Sequence, residues 1–184
     1  MARAVAALLR AADVPLNTDP ELRGTPERVA HAWLGHFLDG YGVETSAALG
    51  PRIPAGKHPG LVVVKALTYH SMCPHHLLPV RGVAHLAYLP GRWLAGLGGL
   101  VKVLDAFAHR LVLQEQLASD VAQALADGLS SPATACILDA THDCLSLRGP
   151  RQRGARVQVA AYTGQLRRAG SLRRELQQLL EQKP

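Results

Sequence analysis

Two strand-forming runs on either side of a donor-rich loop constrain this chain more than any other feature. Leu61–Thr68 is β-branched and Val80–Leu89 alternates, so both read as strands, and Tyr69–Pro79 between them carries Cys73, His75 and His76. Strands joined by so short a connection fold back as an antiparallel hairpin, which puts the loop at one end of a sheet. A second hairpin follows later. Ala133–Thr141 runs through His142–Arg148 into Arg156–Thr163, and its connection holds Cys144 close to His142.

Helical spacing fills the rest. Val5, Leu8 and Leu9 mark a short helix over Ala2–Ala12. Thr25 reads as an N-cap with Pro26 at the first helical position and Glu27 in the positive first turn. That helix carries Val29, Trp33, Phe37 and Leu38 on one side and ends near Gly40, before a loop rich in proline and glycine from Pro51 to Gly60. Between Leu100 and Gly128 the pattern gives two helices or one bent helix, with a break near Leu113–Glu115. A last helix carries Leu172, Leu176, Leu179 and Leu180. The order of helices, hairpin, helices, hairpin, helix is an α+β layout. We divide it into an N-terminal helical segment, 1–58, and a second domain, 59–184, that holds both hairpins.

With 184 residues, 48% of them hydrophobic, the chain can bury one real core. Its apolar stretches, such as Leu61–Val64, are too short to span a bilayer, and no membrane partner is expected. Arg10 and Asp13 break the apolar run after Met1, which reads as a helix and not a leader; a cytoplasmic protein is expected. The net charge of +6 suits an anionic partner, and arginines cluster late in the chain, but only 4% of residues are aromatic, against a stacking platform for nucleic acid. Three cysteines, an odd count, predict reduced thiols free to bind metal.

Thiolate and imidazole are the ligands zinc prefers, and three of them leave a fourth position open for water. On the residues alone, Cys73, His75 and His76 fit equally well in a surface loop with two solvated histidines and a buried cysteine.

Longer segments change that balance. His70-Ser-Met-Cys-Pro-His-His-Leu-Leu-Pro79, Gly82-Val-Ala-His-Leu-Ala-Tyr-Leu-Pro90, Phe107-Ala-His-Arg-Leu-Val-Leu-Gln-Glu115 and Asp139-Ala-Thr-His-Asp-Cys-Leu-Ser-Leu-Arg-Gly149 occur in that order, after Gly24-Thr-Pro-Glu-Arg-Val-Ala30. Together they resemble the GTP cyclohydrolase I family. The resemblance implies a tunnelling fold (T-fold), an antiparallel sheet with helices on one face. It also implies subunits joined into a ring, often a decamer, with active sites between subunits. By the same resemblance Cys73, His76 and Cys144 bind Zn2+, and His75 and His142 form the acid–base pair. Glu115, supported by Gln114, reads the purine edge; Arg148 and Lys102 meet phosphate. The implied reaction is hydrolytic opening of the imidazole ring of a small-molecule purine by attack at C8. Histidine, with a pKa near 6.5, can give and take the protons this needs.

The chain departs from the family pattern at four places. Pro74 replaces a glutamate, Gly98-Gly99 stands where the family has Ser-Lys, Lys102 replaces an arginine, and Gly154–Ala161 replaces a Ser/Thr-rich strand. Pro74 falls beside the catalytic histidine, while the loss of Ser-Lys and of the arginine thins the phosphate-binding side, so the expected substrate carries fewer phosphates. The missing serine is linked in the family to the later rearrangement, so the expected reaction stops at ring opening. The alternatives are ordinary conversion of GTP to 7,8-dihydroneopterin triphosphate and formate, or a non-catalytic purine- or pterin-binding protein. A nucleic-acid-binding zinc protein would need a closed four-ligand site, and no nucleic-acid partner is expected.

Overall fold

The computed structural model describes residues 1–57 and 60–182, so the expected domain boundary at 58/59, like Pro59 of the expected loop, lies outside the described residues. In chain order the elements are α1 (Ala2–Ala11), α2 (Thr25–Ala32), α3 (Thr45–Ala48), β1 (Arg52–Pro54), β2 (Val62–Met72), β3 (Pro79–Leu89), β4 (Trp93–Ala95), α4 (Leu97–Ala108), α5 (Gln114–Leu129), β5 (Ala133–His142), α6 (Asp143–Ser146), β6 (Val157–Tyr162) and α7 (Ser171–Glu181).

Alternation sorts the side chains of the main sheet. It is antiparallel, in the order β2-β3-β5-β6. Ala84, Leu86 and Tyr88 of β3 and Cys136, Leu138 and Ala140 of β5 point to one face, where they pack with Leu100, Val103 and Leu104 of α4 and Leu117, Val121 and Leu125 of α5. Burying each such leucine or valine contributes roughly 1.5–3 kcal/mol, so this layer is the main source of stability. Ala87, Ala133 and Ala135 point the other way, toward Leu166 and Leu176, so α7 covers part of the opposite face. The α+β architecture and its antiparallel sheet match the expectation.

Several boundaries differ from it, each for a physical reason. Thr25 is the first residue of α2, and Gly24 is the cap, because glycine takes the left-handed conformation (φ 75°) that turns the chain into the helix. Pro26 therefore stands one position further in. After α2 the chain continues as a π-helical turn, Trp33–Phe37, and a 3-10 turn, Asp39–Gly42. The stretch expected as loop around Pro51–Gly60 contains β1, which pairs with β4 from Arg52↔Ala95 to Pro54↔Trp93. A partner so far along the chain leaves no local signal.

The first hairpin is longer than its alternation suggests. Pairing continues to Met72↔Pro79, so the expected loop Tyr69–Pro79 shrinks to residues 73–78. It is closed by Cys73 N–H donating to the Leu78 carbonyl (2.9 Å) and Leu77 N–H donating to the Cys73 carbonyl (2.9 Å). The helical break also starts earlier, after Ala108. There the carbonyl of His109 accepts from Gly40 N–H and Leu111 bridges to Met72, drawing the chain out of helix toward the hairpin tip.

Candidate metal centre and active site

Register brings the two donor segments together. Val80 pairs with His142 and Arg81 with Thr141, so the tip of the first hairpin sits beside the end of β5, from which α6 begins. Cys73 comes from the tip, His76 from the same turn, and Cys144 from the first turn of α6. One ligand atom from each of the three lies within 4.8 Å of the others. Cys73 Sγ and His76 Nδ1 are 3.6 Å apart.

The donor chemistry fits a metal ion. Burial first, and then the neighbouring Cys73 thiol, push the Cys144 thiol up from its ordinary value, while the Arg148 guanidinium pulls it down. Two thiols this close cannot both ionise cheaply unless a cation sits between them. Two sulfurs and an imidazole are the set a borderline-soft divalent ion selects. The remaining cysteine, Cys136, is fully buried in the core, and burial alone pushes its thiol up, so it behaves as a small hydrophobe.

The support around Cys144 was not legible in the sequence. Asp143, buried beside it, accepts from Arg81 Nη2 (3.1 Å) and from Ser146 Oγ (3.3 Å). Such contacts hold the short helix in the orientation that aims Cys144. Asp143 lies inside the recognised motif, but nothing local says that it points inward.

The two proposed acid–base histidines differ in setting. His75 is exposed, with its ring edge-on to His76 at 6.1 Å, and it is not part of the three-donor group. His142 ends β5 and is half-buried; burial lowers its pKa, and the nearby Glu115 carboxylate partly opposes this. Glu115 is exposed in the first turn of α5, where the positive end of the helix favours a carboxylate. Gln114, expected to support Glu115, is buried. Its amide donates to the carbonyls of Val157 (3.0 Å) and Leu138 (3.4 Å) and accepts from His142 Nε2 at 2.6 Å.

The two expected phosphate contacts have different surroundings. Arg148 is exposed just past α6, near enough to Cys144 to influence it. Lys102 is exposed on α4 and lines a cavity of about 210 Å³ with Asp39, Asp105 and His109, none of which belongs to the sulfur–imidazole group.

Fold and site together define an α+β enzyme class: a metal-competent Cys–His–Cys group at a sheet end, with two histidines beside it. Residues 1–181 match the protein family described as GTP cyclohydrolase I, and the chain belongs to that family of cyclohydrolases, whose fold is the T-fold. It is 37% identical over 180 residues to GTP cyclohydrolase 1 of Chromobacterium violaceum, which covers 97% of this chain and 86% of that protein. It is 36% identical over 162 residues to GTP cyclohydrolase 1 of Ralstonia nicotianae, covering 88% of this chain and 77% of that one.

Proposed function

We propose that this chain is a zinc-dependent hydrolase that opens the imidazole ring of a purine at C8, acts on a purine with fewer phosphates than GTP, and stops at ring opening. The observation that carries the ring-opening reading is the Cys73–His76–Cys144 group, three soft donors within 4.8 Å of one another. A bound zinc ion would supply a water acidic enough to yield hydroxide at neutral pH. The chain's own residues do the rest. Glu115 accepts from N1–H and the 2-amino group of a guanine edge, a bidentate match. His75 and His142 hold and move protons at the purine nitrogens as the ring opens.

The narrower substrate rests on Gly98-Gly99. Neither residue offers a hydroxyl or an ammonium to a phosphate, and losing one charge-assisted contact costs roughly 1.5–3 kcal/mol. Gly99 also packs against the backbone of Leu49, which leaves no room for a side chain there. A second reading, conversion of GTP to 7,8-dihydroneopterin triphosphate and formate, is favoured by the name its relatives carry.

We also assign the chain to a ring of identical subunits, a decamer, with active sites completed across subunit boundaries. Membership of the family carries this assignment. Two thiols that must stay reduced to hold metal suit the cytoplasm. Among the described residues, no helix is long and apolar enough to cross a membrane.

The test offers zinc-loaded protein GTP, GMP, guanosine and guanine, and identifies products by mass spectrometry. A formamide product from GMP or guanosine is expected. Turnover of GTP alone to the dihydropterin would refute the narrower substrate, and no ring opening of any purine would refute the whole reading. Sedimentation analysis gives the subunit number.

A further inference from the structure

Gln114 hydrogen-bonds three groups from inside the core, and their chemistry fixes which way its amide points. Its Nε2 faces two backbone carbonyls, Val157 at 3.0 Å and Leu138 at 3.4 Å, which belong to the paired strands β6 and β5. Carbonyl oxygens only accept, so the NH2 end must face them. The reversed amide would set its oxygen against both carbonyls and bury an unpaired acceptor, at a cost of about 1–3 kcal/mol. Only the Oε1 end is left for His142, and it lies 2.6 Å from Nε2 of that ring.

An amide oxygen cannot donate. His142 Nε2 must therefore carry the hydrogen, and in the neutral ring Nδ1 is then the nitrogen with a free lone pair. No described residue hydrogen-bonds Nδ1. We infer that Gln114 is a positioning residue that locks His142 in the Nε2–H tautomer, so that Nδ1 is the nitrogen His142 presents for proton transfer. Gln114 acts through His142 and does not touch the purine.

The chain of restraint starts in the sheet. Pairing of Leu138 with Val159 and of Ala140 with Val157 holds the two carbonyls in register. Gln114 is the first residue of α5 and 5% exposed, so its backbone is fixed by the helix and its side chain by the core. A tautomer set by a rigid backbone costs no reorganisation when the proton moves. Glu115, the next residue, is exposed, so adjacent positions on α5 divide the work: one orients the histidine and the other meets the base.

This assignment rests on the proposed ring-opening chemistry for its kinetic consequence but not for its structural one, and the two are tested separately. Neutron diffraction from deuterated crystals of the zinc-loaded wild-type protein reads the ring directly. A deuteron on His142 Nε2 aimed at Gln114 Oε1, with Nδ1 bare, is expected. A deuteron on Nδ1, alone or together with one on Nε2, overturns the tautomer. This result stands even if no purine is turned over.

Kinetics then use whichever purine the wild-type protein opens. Gln114→Leu should lower kcat roughly 100-fold, the scale of a misplaced catalytic group. Its KM should stay within about twofold, because an interaction that serves only the transition state leaves substrate binding alone. A raised KM with kcat unchanged would make Gln114 a substrate contact and overturn the assignment. Gln114→Glu keeps an acceptor for Nε2–H and should retain more turnover than Gln114→Leu; equal loss in both would equally overturn it. Should either variant fail to fold, the neutron measurement still decides.

Discussion

Gly99 of α4 touches the backbone of Leu49, so that a Cβ added at position 99 would run into the Leu49 carbonyl oxygen. Its neighbour Gly98 faces open space, with nothing within 4 Å of an added Cβ. The pair that departs from the family's Ser-Lys therefore consists of two unlike positions. One merely lacks a side chain. The other forbids one, because α3 and Leu49 close over it.

Gly99→Ala should destabilise the protein by about 1–3 kcal/mol, the usual cost of overpacking, and Gly99→Lys by at least as much. Gly98→Ser should change stability by less than about 1 kcal/mol, since the helix start tolerates serine and nothing crowds it. Urea denaturation midpoints of the three variants check both statements. If Gly99→Lys is as stable as the wild type, the steric account of the missing lysine is wrong.

Removing a ligand and removing an acid–base group should separate cleanly. Cys144→Ala is expected to lose both bound zinc and turnover, because two remaining donors do not make a catalytic site. His75→Ala should keep its zinc and lose roughly 100- to 10,000-fold in kcat, the range of general acid–base catalysis. Metal content by elemental analysis, set beside activity, is the measurement. Zinc lost from the His75 variant would make that residue a ligand.

Asp143 binds no metal in this scheme, yet its loss should be felt there. With Arg81 and Ser146 on its carboxylate, it anchors the turn that carries Cys144. Asp143→Ala should weaken zinc binding by about 10- to 100-fold, as removal of a supporting hydrogen bond does elsewhere. Competition with a chelator of known affinity reads the change. An unaltered affinity would mean that α6 is held by its backbone alone.

His85, on β3, gives the fold a pH dependence that does not involve the metal. Its Nδ1 accepts a hydrogen bond from Ala66 N–H (3.3 Å) at the bulge between Val64 and Leu67, where Ala66 has a φ of 58°. Burial, and then the Lys65 ammonium, lower its pKa below the ordinary 6.5, with Asp139 partly opposing. The unfolded chain thus binds more protons than the folded one just below pH 6.5. The stability His85 contributes is full above that value and is lost as pH falls through the lowered folded value. Denaturation midpoints measured from pH 7.5 down to 5.5 should fall, and His85→Gln should flatten the slope. An identical slope in the variant would remove His85 as the cause.

What the sequence determined by itself is what depends on neighbours along the chain. Alternation at Val80–Leu89 and helical spacing at Val103, Leu104 and Phe107 set the elements, and the resemblance of their segments to a known family marked Cys73, His76 and Cys144 as donors before any of them had a position. Only the tertiary structure decided what depends on register and close packing. The pairing of Val80 with His142 brings Cys144 to the hairpin tip, β1 finds its partner in β4, and Gln114 turns inward to hydrogen-bond His142. Position 99 lacks room for a side chain only because Leu49 lies against it. Local patterns fix torsion angles and faces; contacts between residues far apart in the chain are chosen by the energy of the whole packed arrangement, and no short window of residues carries that information.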